Sequence, residues 1–488
     1  MNHYLAAEAV RKLTGREIAV SPMYEKVNEW RSWLEGNVKG FHEYQQATDL
    51  TGPRPRYQTI RRHRMNMLLK GAEDWASILL NERTRIAVDN EAAALWLMGA
   101  NETGGVFGAC DFWRNANELI TTSRWAGTAA FEVYVRRMEV AIPETGEAGD
   151  ADRLTGGEGV GINFLSAEQI LPISYDNGVL REAAFLSDRV DGNSVYTRMS
   201  IHLLVGDEYA LISTEIDQSG KIIRTPETIL TGCAIPWFSL IRKSGANVFD
   251  PDSPFGVSIV SGNEDVLKGL DATFDNFVCD FLLGRKQVFM NSSMFARDDD
   301  GNRVAPQIAG QTLFIKTGDS IEDGKKYIEE YNPALRVAEN AEAVQKMLDL
   351  FSFKIGLGMG RYRFEPGDIQ TATEYTGRKQ DLVQNAAKEM IGVEKALTEL
   401  VRALLWVGAN VLRIPGIDAD ADVAIIADDG YIIDQESERK RWAEEVAQGL
   451  RSKLEYRMRF CGESEEEARA ALEQIREESP SAGELLGL

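Results

Sequence analysis

The sequence is poor in the residue types that most often announce chemistry. In 488 residues there are four cysteines, Cys110, Cys233, Cys279 and Cys461, widely scattered and without a C-x-x-C pair. That spacing argues against a disulfide framework and against a zinc site, so no metal is expected, and it suits a reducing compartment. The four histidines (His3, His42, His63, His202) form no H-E-x-x-H or other close pair. No histidine-rich metal site and no cofactor is therefore expected. No apolar run reaches the roughly 18 residues a membrane span needs, and the first residues lack the apolar stretch of a signal peptide. The expectation is a protein made and assembled in a cytoplasm, with no membrane partner. No G-x-x-x-x-G-K-[ST] and no G-x-S-x-G occurs, which argues against a nucleotide motor and a serine hydrolase.

Positive charge is also scarce. Lys and Arg total 54 against 76 Asp and Glu, a formal net charge of −22. A protein that coats DNA by neutralising phosphate carries the opposite sign. Hydrophobic residues at 44% and charged residues at 27% fit a globular chain. The length suggests about three units at roughly 150 residues each.

Several glycine and carboxylate patterns imitate known motifs and miss a required residue. Gly157-Glu-Gly-Val-Gly161 and Gly356-Leu-Gly-Met-Gly360 do not match the G-x-G-x-x-G dinucleotide loop. Asp418-Ala-Asp-Ala-Asp422 begins like a calcium loop but has Val423 where glycine is needed. The carboxylates are too abundant to single out a glycosidase pair. With no catalytic constellation, the reading is that the chain is not an enzyme.

Periodicity divides the chain. Residues 1–50 read as helical, residues 52–57 as a breaker, and Ile60 to Asn81 as a helix with Met65, Leu68, Leu69, Ala72, Trp75, Ala76 and Leu79 on one face. A strand is expected over Arg83–Val88 and a helix over Val106–Ser123. From Trp125 to about Trp237 the period becomes two, with strands at Ala129–Arg136 and Thr197–Val205 and a hairpin at Gly206-Asp207. The glycine-rich, acidic stretch Glu144–Gly161 reads as an exposed loop.

After Asn263 the order of parts is distinctive. Leu267, Leu270, Phe274, Phe277 and Phe281 share one helical face up to Gly284. About fifty residues of β and turn character follow, with Gln287–Phe295 and Thr312–Lys316 and turns at Asp298–Gly301 and Asn332-Pro333. A second helix begins near Ala338, with Ala341, Val344, Leu348, Phe351 and Ile355 on its face. Then come Gly356, Gly358 and Gly360 and the basic, aromatic Arg361-Tyr-Arg-Phe364. Glycines at alternate positions make this a hinged loop, and basic and aromatic side chains on it suit a nucleic-acid backbone. Thr371-Ala-Thr-Glu374 has capping-box form and opens a heptad-patterned helix toward Leu412, roughly 60 Å long. A strand follows at Asp422–Ala427, then a charged helical tail with a second capping box, Ser464 to Glu467, and an acidic helix over 465–478. A second basic spot, Arg61-Arg-His-Arg64, reads as a solvated helix start.

This order resembles the portal proteins of tailed double-stranded-DNA bacteriophages, especially long-tailed phages of Gram-positive hosts. Short stretches add to the resemblance. Arg64-Met-Asn-Met67 with Glu73-Asp-Trp-Ala-Ser77, and Asn117-Glu-Leu119 with Gly127-Thr-Ala-Ala130, look like the family's first segments. Ser253-Pro-Phe-Gly-Val-Ser258 looks like the approach to its first stem helix, and Glu465-Glu-Glu-Ala468 like its crown. The resemblance implies an α+β, multi-domain portal fold. Its mixed α/β wing would take residues 1–262, its stem helices 263–286 and 338–356, and its small α/β clip 287–337. The tunnel loop would be 357–370, the long wing helix and strand 371–432, and the α-helical crown 433–488.

It further implies a homododecameric ring at one capsid vertex of the virion, assembled in the host cytoplasm. Such a ring conducts DNA during packaging and ejection and serves as the head-tail connector. Implied partners are further copies of the chain, double-stranded DNA in transit, the terminase large subunit, a head-tail adaptor, and major capsid and scaffolding proteins. Arg361, Tyr362, Arg363 and Phe364 would face DNA from the tunnel loop, and Glu264, Lys268, Asp271 and Asp275 would line the channel. A phage-borne hydrolase with an unrecognised site and a non-conducting capsid or adaptor scaffold are the competing readings.

Overall fold

The computed structural model describes residues 2–49, 56–81, 83–100, 104–141, 152–192, 194–284, 286–291, 296–297, 299–301, 303–304, 313–317, 328–364 and 372–427, with 442–443, 445–446, 452–461, 468–472 and 474 of the tail. Packing separates two compact units, Met1–Ile426 and Ala427–Leu488. The first unit is mixed α and β, with helices and several sheets.

Helix α1 (His3–Thr14) is capped by the Asn2 side chain, which accepts from the amides of Tyr4 and Leu5, and it stops at Gly15 in the left-handed region. Helix α2 (Met23–Glu35) stops the same way at Gly36. The helical expectation for residues 1–50 fails beyond that point. Strand β1 (Glu43–Asp49) pairs antiparallel with β2 (Arg56–Arg61), joined across Gln45–Thr59 at 2.7 Å and Glu43–Arg61 at 3.1 Å. The partner strand supplies what the short polar segment lacks by itself, so pairing overrides local propensity. Most of the breaker between them, residues 50–55, lies outside the described residues.

Helix α3 (Met67–Leu79) consequently starts seven residues later than the Ile60 its pattern suggests, after Asn66 at a φ of 56°. Most of its expected face is buried, with Leu68, Ala72, Trp75, Ala76 and Leu79 all at 2% exposure or less, while Leu69 is half-buried and Met65 lies before the helix. Strand β3 (Arg85–Val88) and helices α4 (Glu91–Met98), α5 (Gly105–Ala109) and α6 (Phe112–Ala126) follow. The single helix expected over 106–123 is broken at Cys110-Asp111, where Asp111 turns left-handed at a φ of 49°.

The strands are β4 (Thr128–Arg136), β5 (Glu139–Ala141), β6 (Asp152–Gly156), β7 (Gly159–Ser166), β8 (Ile170–Asp176), β9 (Val179–Asp191), β10 (Ser194–Val205), β11 (Glu208–Ile216), β12 (Ile222–Leu230) and β13 (Phe238–Arg242). They form a three-stranded sheet, β13-β4-β7, and a seven-stranded sheet, β5-β6-β12-β11-β10-β9-β8. The hairpin at Gly206-Asp207 joins β10 to β11 with Val205 opposite Glu208. Gly206 takes the left-handed conformation that a two-residue loop needs.

Strands β6 and β7 replace much of the loop expected over Glu144–Gly161, whose first part, 142–151, lies outside the described residues. Glycine masks the alternation there. Val160 and Ile162 are buried, and Gly161 between them carries no side chain because the Tyr134 ring lies over it. Alternation is clear on β10. Met199, Ile201 and Leu203 join a core with Ala6, Ala7, Ala9 and Val10 of α1. His202, between them, faces the other way and meets Glu132 at 3.0 Å.

Helix α7 (Glu264–Leu283) ends at Gly284. Short strands β14 (Gln287–Asn291), β15 (Ala296–Arg297), β16 (Arg303–Val304), β17 (Leu313–Thr317) and β18 (Ile328–Tyr331) lead to α8 (Val337–Lys354). Strand β14 is central in a sheet with β17 parallel on one side and β18 antiparallel on the other. Turn residues 299–301 are described; residue 298 of that expected turn is not.

Helix α9 (Ala372–Trp406) is 35 residues long, about 52 Å at 1.5 Å per residue. Thr371 of the expected capping box lies outside the described residues. Val393, Leu397, Leu400 and Leu404 of the heptad pattern are fully or almost fully buried in the main core. Each contributes about 1.5–3 kcal/mol by burial. The helix ends six residues before the expected Leu412. Val407–Val411 is a π turn, and Arg413 is left-handed ahead of Pro415. Strand β19 (Val423–Ile426) pairs antiparallel with β3 across the length of the unit's sequence.

In the second unit, α10 (Lys453–Cys461) carries Tyr456 and Phe460, whose rings pack together, and Trp442 meets Phe460 edge-on at 5.5 Å. Of the acidic helix expected over 465–478, residues 468–472 and 474 are helical; the rest, and the Ser464 capping box, lie outside the described residues.

Candidate functional site

The region to which the sequence points is a helical hairpin and the loop that leaves it. Helices α7 and α8 run antiparallel and touch at both ends. Near the tip, Asp280 accepts from Arg336 at 2.7 Å and from Asn340 at 2.6 Å, and Asn276 donates to Asn340 at 3.0 Å. These donors hold the Asp280 carboxyl below its ordinary range, Arg336 first and Asn340 next. Farther down, Gly269 leaves room for the Met347 side chain, which a Cβ there would meet at 2.3 Å.

The base of the hairpin is dry. Leu267 and Leu270 of α7 and Val344, Leu348 and Phe351 of α8 are buried in the main core. Gly71 of α3 lets this end approach, because a Cβ there would lie 2.8 Å from Ile355 and 3.3 Å from Phe351. Trp75 donates its indole N–H to the Ile355 carbonyl at 2.9 Å, fixing the point where α8 stops.

The four polar residues expected on the channel wall occupy different surroundings. Lys268 pairs with Asp265 at 2.8 Å on an exposed face, and Glu264 stands in the first turn. Asp271 is 8% exposed; it accepts from the Met65 amide at 3.0 Å and lies 3.1 Å from His42 Nε2. Asp275 accepts from the His63 amide at 2.9 Å and lies 2.9 Å from that residue's Nδ1. Arg62 adds a cation 3.6 Å away. Asp271 and Asp275 thus bind α7 to the segment between β2 and α3. The basic spot Arg61–Arg64 is part of that junction: Arg62 donates to the Phe41 carbonyl and Arg64 to the Leu34 carbonyl.

The loop after α8 begins with three left-handed glycines, Gly356, Gly358 and Gly360, at φ of 87°, 77° and 76°. An L side chain is strained at each, so the sequence Gly-Leu-Gly-Met-Gly is what lets the chain turn. The four loop residues then divide. Tyr362 is half-buried: its hydroxyl donates to Asp74 at 2.8 Å, its carbonyl accepts from Gln345 at 2.7 Å, and its ring lies 6.2 Å from that of Phe351. Burial, then the Asp74 carboxylate, pushes the Tyr362 phenol up, so it stays a donor. Arg361, Arg363 and Phe364 are exposed. They rim a hollow of about 450 Å³ with Met65, Met67 and Lys70. Residues 365–371 of the expected loop and its exit lie outside the described residues.

Sequence reading missed a second feature. A groove of about 720 Å³ opens between β13 and α9, lined by Arg181, Arg242, Lys243, Lys388 and Lys395 with Glu399. Burial lowers the Lys243 ammonium, opposed by Glu389, and raises the Glu399 carboxyl. Beneath it, buried Arg124 of α6 pairs with Glu389 of α9, which also accepts from the Ser244 amide at 2.9 Å. These cations come from three stretches of sequence, Arg181, the adjacent Arg242 and Lys243, and Lys388 and Lys395 of α9, so no single local motif marks the groove.

Among the described residues no helix is long and apolar enough to cross a membrane. No known family model matches this chain, and no curated protein does either.

Proposed function

We propose that the chain is a phage portal protein, a ring-forming subunit at one capsid vertex that passes double-stranded DNA during packaging and ejection. One observation carries this reading. A helical hairpin holds a small sheet at one end, and its other end leads through a glycine-hinged loop to a 35-residue helix whose C-terminal half packs in the core. In a portal fold these are stem, clip, tunnel loop and long wing helix, with α1 to β13 as the wing and the second unit as the crown.

Two further features support it. Apolar side chains stand exposed along the hairpin, among them Leu283 at 70%, Phe353 at 51% and Phe281 at 45%. A neighbouring stem is the surface that would cover them. The net charge of −22 gives a ring of such chains a wall that repels phosphate, with Arg361 and Arg363 as exposed cations on the loop. On this reading Glu264 and Lys268 are the two of the four expected residues left to face the channel, since Asp271 and Asp275 are engaged with the wing. Terminase and the head-tail adaptor would dock at the clip, and capsid and scaffolding proteins around the ring. The chain's role is conduction and docking rather than catalysis.

Electron microscopy of the purified protein tests this. The expected class averages are rings of about twelve subunits whose central hole admits duplex DNA, about 20 Å across. A closed ring with no such hole favours a non-conducting scaffold. A defined, non-annular oligomer overturns the portal reading.

A further inference from the structure

We infer that His63, Asp275 and Cys279 form a binding site for a zinc-class divalent ion on the distal half of α7, part-way along the helical hairpin. The inference rests on side-chain geometry alone and does not depend on the portal reading. Among the described residues these three are the single group of His, Cys, Asp and Glu donors close enough to share one ion.

The site is assembled from two elements. Asp275 and Cys279 stand four residues apart on α7, so they share one helical face. His63 comes from the segment before α3 and is placed by its own backbone, whose amide donates to Asp275 Oδ1 at 2.9 Å. The preceding residue is anchored too. The Arg62 guanidinium lies 4.2 Å from the Phe41 ring and donates to the Phe41 carbonyl at 2.9 Å. The segment that carries the imidazole is therefore held in position without an ion.

The donor atoms are spaced for a tetrahedral centre. Nδ1 of His63 lies 2.9 Å from Asp275 Oδ1, Sγ of Cys279 lies 3.9 Å from the same oxygen, and all three fall within 4.8 Å of one another. Bonds of about 2.0–2.3 Å in tetrahedral geometry set donors about 3.3–3.7 Å apart. Shifts of a few tenths of an ångström bring the two pairs that include Asp275 to that spacing, and a closure of at most about 1.3 Å does so for His63 and Cys279. One imidazole nitrogen, one carboxylate oxygen and one thiolate select zinc and its neighbours over magnesium or calcium, which prefer all-oxygen sets. Arg62, the competing cation, lies by the other carboxylate oxygen, Oδ2, at 3.6 Å. Three protein donors leave a fourth position for water or for a donor from another molecule. The ion would clamp the approach to α3 onto α7, residues 212 apart in sequence.

Cobalt(II) titration of the chelator-treated full-length chain tests the site. The expected result is one equivalent bound per chain, a thiolate-to-cobalt charge-transfer band in the near ultraviolet, and loss of that band on adding zinc. Cys279→Ser abolishes the band, Cys110→Ser keeps it, and His63→Gln weakens binding by about tenfold or more. His63 has a 43% exposed side chain, so its variant keeps the comparison valid if Cys279→Ser fails to fold. A folded wild-type chain with no band, a band that survives Cys279→Ser, or an unchanged affinity in His63→Gln overturns the inference.

Discussion

The two ends of the α7–α8 hairpin are built on opposite principles. At the base, α7 and α8 sink into the core through Leu267, Leu270, Leu348 and Phe351, and the polar groups there are matched one to one, as with Asp271 between the Met65 amide and His42. At the tip, Phe281, Leu282, Leu283, Leu335 and Val337 are exposed, and the strongest fastening is the surface set of Arg336, Asn340 and Asp280. The base is buried on its core-facing side, with Leu350 and Phe353 left exposed on the other. The tip has apolar surface that one chain does not cover. The same 3-4 spacing therefore serves two purposes along a single helix, and only burial separates them.

Substitutions at the base should hurt the isolated chain most. Phe351→Ala removes a ring that is 1% exposed and should cost about 3–5 kcal/mol, read as a lower denaturant midpoint. Asp271→Ala strips the Met65 amide and His42 of their acceptor and should cost about 1–3 kcal/mol in the same assay. A loss equal to that of a surface variant would show the base is looser than drawn. Next comes the loop: Tyr362→Phe deletes the hydroxyl bonded to Asp74, for about 0.5–1.5 kcal/mol, while Arg361→Ala and Arg363→Ala should leave stability unchanged and, in the portal reading, alter packaging with rings intact.

At the tip, Leu283→Ser should move monomer stability by no more than about 0.5 kcal/mol yet reduce ring formation, seen by sedimentation. Equal assembly by that variant would break the contrast between the two ends. The smallest effect is a pH dependence. Asp280 is held below its ordinary pKa by Arg336 and Asn340, so its contribution is present above the unfolded carboxylate pKa of about 3.9 and fades as pH falls through the folded value. Asp280→Asn should flatten that acid limb slightly in pH-dependent melting curves.

Sequence periodicity located the hairpin well. The Leu267 to Phe281 spacing gives α7 to within a residue, Gly284 gives its end, and Val344, Leu348 and Phe351 give the buried face of α8. Strands β3 and β19 were also legible, though not their pairing with each other. What failed was non-local. The role of Asp271 depends on His42, 229 residues away, and Tyr362 on Asp74, 288 residues away. On a helical wheel those polar residues look like any solvated face. Strand β1 was missed because its reason for being extended is β2, and β7 because Gly161 interrupts the alternation to make room for a ring. The cationic groove beside α9 left no local signal at all.

The ladder at the tip has a consequence for how this protein tolerates change. Strands β14 and β18 pair antiparallel, Gln287 opposite Tyr331, directly where α7 and α8 let go of one another. The two chain segments stay side by side from helix into sheet, so the stretch between β14 and β18 hangs from a closed zipper. Loop-closure entropy grows only with the logarithm of length, and doubling such an excursion costs about 0.6 kcal/mol. The pairing of β14 with β18 therefore keeps the helices below in register when the connection changes length, provided β17, which lies along β14 from Leu313 to Thr317, keeps its place in the sheet.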